Sequence, residues 1–174
     1  MINILLSVRR PFSEKILSGE KKWELRKTKP IFRRCGPVTL WFYESGKDGE
    51  RAIIGKCQLK YLIRMISYIP DGLIEDACIT KERGRSYLPC YAWHIYDPVR
   101  LPLAVPLSDI GLTRPPQSWQ YISPEQAAMM ISATVEGFHQ AGMACTLKHF
   151  PGYGDAVQDP LSGLSLIHIS EPTR

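Results

Sequence analysis

The sequence predicts an α+β domain in which a small, strongly curved or closed β-sheet carries one leading helix. Three observations lead there. Five or six short apolar runs rich in β-branched and aromatic residues recur along the first 123 residues. A single short amphipathic helix lies between the first two runs. The regular strand–helix alternation of a parallel α/β fold is missing. With 174 residues, 44% of them hydrophobic and 22% charged, the chain has length for one domain and a remainder.

Residues 3–8 are a short apolar strand, and residues 11–18 a helix that starts at Pro11, carries Phe12, Ile16 and Leu17 on one side and stops at Gly19. Residues 22–27 alternate, with Trp23 and Leu25 between Lys22, Glu24 and Arg26. This predicts a half-buried strand that packs the apolar pair and projects the charged trio from its other face. The runs 38–43 and 52–62 form a hairpin across the turn-like residues 44–49. A short helix is expected at 71–78, a basic loop at 81–85, and separate strands at 90–96 and 101–105. Arg114-Pro115-Pro116-Gln117-Ser118-Trp119 closes the unit, its prolines blocking a helix or a central strand.

The texture changes at Ser123. Ser123-Pro124-Glu125-Gln126 is a capping-box helix start with proline at the first helical position, and residues 127–140 form an amphipathic helix that ends at Gly142. A short strand is expected at 144–147, before a Gly/Pro loop at 148–155. The barrel is expected to close before this segment, leaving few buried contacts across Ser123 and making residues 124–174 dispensable for its stability.

Charge and cysteines narrow the function. Residues 1–34 hold ten basic residues against three acidic ones, a net +7 within a chain of formal charge +5. Basic residues interleaved with apolar ones in ordered structure form a surface patch suited to phosphates. Arg9, Arg10, Lys15, Lys21, Lys22 and Arg34 supply this field, and Trp23, Trp41, Tyr43 or Trp93 could stack a base if exposed, although alternation favours the core for Trp23 and Trp41. Five unevenly spaced cysteines without a C-x-x-C pair signal neither a disulfide framework nor a zinc site. No metal or cofactor is expected. No apolar run approaches the ~18 residues of a membrane helix, and the start lacks signal-peptide order, so no membrane partner and a cytoplasmic location are expected.

The motif Gly19-Glu-Lys-Lys-Trp-Glu-Leu-Arg26 resembles the G-x-K-x-x-E-x-R signature of the ASCH domain, a PUA-related β-barrel family. Ile4-Leu-Leu-Ser-Val-Arg9, Ile53-Ile-Gly-Lys56, the strand at 91–95 and the ending at 114–122 are similar to further segments of that family in the same order. The last resembles its predicted-transcriptional-regulator subgroup. The resemblance covers residues 1–123 and implies a PUA-like barrel with a cleft between the first helix and the sheet. It also implies RNA or modified-nucleoside binding there, in the regulation of transcription or translation, with Lys21, Glu24 and Arg26 central and the Gln117-Ser118 segment beside them.

Some proteins of this fold hydrolyse the acetyl group of N-acetylated cytidine with a lysine and a threonine. Lys21 occupies the lysine position, but Glu24 stands where the threonine or its helper would be. The alternative is therefore an amidohydrolase for an acylated nucleoside, with Lys21 and Glu24 as an acid/base pair. The rest of the chain resembles other things. Residues 123–160, with Val135-Glu-Gly137 and Lys148-His-Phe-Pro-Gly-Tyr-Gly-Asp155, are similar to a piece of a family 3 glycoside hydrolase. Its acid/base Asp is matched by Asp159, and its following histidine is absent. One αβ pair is far short of the ~250-residue barrel of that family, so glycosidase activity is not expected. Residues 164–174 resemble a translated sequencing-library adaptor. The sequence thus reads as a chimera of a barrel at 1–123, a non-native-looking αβ fragment at 124–163 and a tail.

Overall fold

Strand β1 (Ile2–Arg9) shows why the fold needs two layers of cover. Ile4, Leu5 and Leu6 are all fully buried, because β1 runs inside the sheet, parallel to β3 (Val38–Ser45) and antiparallel to β6 (Trp119–Ile122). Alternate residues enter different cores. Ile4, Leu6, Leu40 and Phe42 pack with Ile16 of helix α1 (Phe12–Leu17), whereas Leu5, Trp41 and Tyr43 pack on the opposite side. The computed structural model describes residues 2–32 and 36–144. Arg34, the strand expected at 144–147 and the loop at 148–155 fall wholly or largely outside them.

Six strands form one mixed sheet in the order β2-β5-β4-β3-β1-β6, with β2 at Trp23–Arg26, β4 at Ile53–Met65 and β5 at Cys90–Val105. Three register shifts between β4 and β5 bend this long pair and curl the sheet into a half-barrel. Its concave interior receives α1. At Gly55 a Cβ would lie 2.5 Å from Leu17 Cδ2 and 2.8 Å from the Val99 carbonyl, so only glycine lets the helix sit this close.

The edge strands β2 and β6 meet through side chains. Arg26 donates from Nη1 to the Ser118 carbonyl (3.1 Å) and from Nη2 to the Ser7 carbonyl (2.9 Å). Trp119 Nε1 donates to Thr28 Oγ1 (2.9 Å), and the Tyr121 hydroxyl both accepts from the Ile31 amide and donates to its carbonyl. These bonds close the barrel where no backbone ladder does.

The elements differ from the sequence expectation in four places. The expected basic loop is helix α3 (Lys81–Ser86), which follows α2 (Asp71–Asp76); Thr80 caps it by accepting from the Arg83 amide, and Gly84 is buried against Ile69, Ile74 and Ile79. The two strands expected at 90–105 are one. β2 pairs only residues 91–94, so Pro98 and Pro102 stand where β5 has a free edge. The closing segment contains β6 after its prolines. Finally, helix α4 (Pro124–Gln140) is no loose appendage: Ala127 and Met130 are buried among Leu5, Trp41, Ile53, Leu101, Val105, Ile110 and Ile122. Buried contacts therefore do cross Ser123, because the convex side of the sheet is as apolar as the concave side and needs a cover.

Candidate functional site

Strand β2 is buried on both faces. Trp23 and Leu25 lie opposite His94 and Ala92 and pack beneath α2 with Leu73, Ile74 and Ala77. Glu24 and Arg26 lie opposite Trp93 and Tyr91 and point to the other side, into the half-barrel. The charged face expected of this strand thus turns to the interior, as the expected cleft requires. Lys22 is not on it: it precedes the strand, is exposed, and pairs with Asp76 at 3.0 Å.

Lys21 turns inward after Gly19, which takes a positive φ of 81°. Its ammonium donates to the carbonyls of Trp23 (2.7 Å) and Ala77 (2.6 Å) and lies 3.2 Å from Glu24 Oε2. All three of its N–H donors are engaged, and none of these partners is a hydroxyl. Glu24 Oε1 meets Arg26 Nη2 at 2.9 Å. Burial pushes the Glu24 carboxyl up, but attraction to Lys21 and Arg26 and hydrogen bonds from both outweigh it, holding the carboxyl below the usual range. Arg26 spends its Nη protons on Ser118, Ser7 and Glu24, leaving Nε buried without a partner among the described residues.

This triad floors a cleft of about 260 Å³. Val8, Phe12, Ile79 and Tyr87 form apolar walls, while Ser7, Arg9, Leu25 and Arg83 complete the lining. Two cations approach the Phe12 ring, Lys21 Nζ at 5.3 Å and the Arg83 guanidinium at 5.1 Å from its centre.

Of the other expected site residues, Arg9 stands exposed at the mouth and Ser118 braces Arg26. Gln117 is exposed and does not line the cleft. Arg10 and Lys15 are occupied elsewhere. Lys15 pairs with Glu20 at 2.7 Å, and Arg10 holds the fully buried Glu44, which also accepts from Ser13 Oγ and the Glu50 amide. Burial raises the Glu44 carboxyl, and these hydrogen bonds lower it further than burial raises it. Trp23, Trp41, Tyr43 and Trp93 are all buried and none lines the cleft, so none can stack a base; Phe12 and Tyr87 are the aromatics in place. Sequence reasoning missed Ile79, Arg83 and Tyr87. Arg83 sits within α3, with Ile79 before its cap and Tyr87 at its end, and this even spacing across the helix is the signal that could have found them.

Comparison with solved structures places the fold. The ASCH protein of Zymomonas mobilis superposes with a TM-score of 0.62 at 19% identity, covering 75% of this chain and 94% of that one. A mutant form of it gives 0.63 at 18%, covering 75% and 95%. The N-terminal domain of Staphylothermus marinus McrB gives 0.51 at 11%, covering 75% and 93%. The chain therefore shares the α+β half-barrel fold of these ASCH structures. Residues 112–173 match the family model described as Glycosyl hydrolase family 3 N terminal domain. Over 36 residues the chain is 50% identical to a beta-hexosaminidase of Idiomarina loihiensis and 56% identical to one of Pseudomonas aeruginosa, covering 21% of this chain and 11% of each of them. The chain thus spans about a tenth of the length of these curated relatives.

Proposed function

We propose that the cleft binds RNA or a nucleotide-like ligand and that the barrel is a binding module rather than a hydrolase. The observation that carries this is the stacking of charge. A buried Lys21–Glu24–Arg26 cluster forms the floor, and two arginines without an ion pair among the described residues, Arg9 and Arg83, stand at the mouth. Such a cleft offers acceptors below, flat apolar walls between and cations above, the order in which a nucleotide presents amino edge, ring and phosphate. The hydrolase alternative needs Lys21 and Glu24 free to pass a proton to and from a substrate, and the Lys21 ammonium is taken up by two carbonyls and by Glu24 itself.

We also propose that the binding domain's own sequence ends near Ser123 and that residues 124–163 are a piece of a family 3 glycoside hydrolase joined to it, whose helix α4 packs back on the sheet, with an adaptor-like tail. No glycosidase activity is proposed, because the matched 36 residues are far too few for a barrel of ~250.

The test is single-stranded RNA binding by fluorescence anisotropy across ionic strength. Affinity should fall steeply with salt, and Arg9→Ala or Arg83→Ala should flatten the logarithmic slope by about 0.7–1 per lost phosphate contact. Binding indifferent to salt would remove the reading, and so would the absence of binding to both RNA and nucleoside monophosphates.

A further inference from the structure

We infer that Arg83, together with Arg9, forms an anion subsite at the mouth of this cleft that makes it select a phosphorylated nucleoside over the free nucleoside. The inference rests on the nucleotide reading above and adds which end of the ligand lies where.

The floor is closed to phosphate. Every proton of Lys21 is engaged, Arg26 has spent its Nη donors on Ser7, Ser118 and Glu24, and its remaining Nε is shut away from solvent. What the triad has left is the spare lone pairs of Glu24, which repel an anion and accept from an amino or ring N–H group. The deep end therefore takes a base edge. The walls of Val8, Phe12, Ile79 and Tyr87 suit a flat ring, and about 260 Å³ lies just under the ~300 Å³ at which pockets for whole drug-sized ligands begin. One base fits, and its phosphate must stay at the rim.

At that rim the free cations are particular ones. Arg10, Lys15, Lys22 and Arg100 each face a carboxylate, whereas Arg9 and Arg83 face none among the described residues. Arg83 is also held in place. Thr80 caps its helix, and its guanidinium rests over the Phe12 ring, so the planar fork is presented at the entrance with little freedom left to lose.

The experiment titrates the full chain with the four ribonucleosides, their 5′-monophosphates and a short single-stranded RNA lacking terminal phosphates. A charge-assisted phosphate contact predicts that the best monophosphate binds about 10-fold or more tighter than its nucleoside. Arg83→Ala should bring that ratio down to ~3 or less while leaving nucleoside affinity within about twofold, and Arg83→Lys should restore only part of it. Arg83 is exposed, so the variant should melt like the wild type; Arg9→Ala provides the same reading independently. If the RNA binds with the same dependence on Arg83, the phosphate is an internal phosphodiester of a strand. If only the monophosphate does, it is a free nucleotide; either result supports the subsite. Equal binding of nucleoside and monophosphate, or an equal loss of both in Arg83→Ala, would overturn the inference and leave the base-binding cleft standing. No binding of any of the three would overturn both.

Discussion

Glu24→Gln tests whether the triad is the keystone of the barrel. The side chains of Lys21 and Arg26 are 3% and 9% exposed, so neither cation can turn to water when the carboxylate between them is neutralised. Removing one partner from such a buried set costs about 3–5 kcal/mol, most of it the penalty of the charges left behind. Urea unfolding followed by tryptophan fluorescence measures it, since Trp23 and Trp93 are buried beside the triad. The pH dependence supplies the control. Because the Glu24 carboxyl is held below its ordinary value in the folded protein, its stabilisation is full above the unfolded-chain value of about 4.3 and is lost as the pH falls through the lower folded value. The difference between wild type and Glu24→Gln should therefore be largest near neutrality and shrink progressively in acid below pH 4. A variant within about 1 kcal/mol of wild type at pH 7, or a gap that does not narrow in acid, would refute the reasoning.

Two further outcomes follow from packing and charge. Met130→Ala should destabilise the protein by about 2–5 kcal/mol, because the side chain is fully buried in the core beneath α4, while Met129→Ala, at 49% exposure on the same helix, should stay within about 0.5 kcal/mol. Equal effects in denaturant titrations would mean that α4 does not cover the sheet. Glu44→Gln should cost about 1.5–3 kcal/mol, less than Glu24→Gln, since its partner Arg10 is 40% exposed and regains water when released. An equal or larger loss by urea unfolding would show that solvent access does not set the difference.

Much of the site's chemistry was legible in the sequence because it is local. Gly19, Lys21, Glu24 and Arg26 lie within eight residues, and the three charged groups do contact one another at 3.2 Å and 2.9 Å. The capping box at Ser123 and the stop at Gly142 are equally local, and helix α4 starts and ends where these residues dictate. The face of β2 was not legible. Period-2 alternation says that Trp23 and Leu25 oppose Glu24 and Arg26, but not which pair meets solvent, and here neither does, because α2 covers one face and the half-barrel encloses the other. Likewise, the cationic field of the first 34 residues is visible as a count, yet its effective charge is set by distant partners. Arg10 is neutralised by Glu44, 34 positions away, and Lys22 by Asp76, 54 away.

The sequence by itself determined the α+β class, the order of most elements and the identity of the floor triad, since these rest on hydrophobic period, caps and short-range charge spacing. It took the folded chain to show that α2 and the half-barrel cover both faces of β2, that Arg9 and Arg83 are the cleft's cations without a carboxylate partner among the described residues, and that α4 is part of the core. The physical reason is shared by all three. Burial and ion pairing depend on which surfaces meet across the fold, and no local pattern records the partner that covers a face.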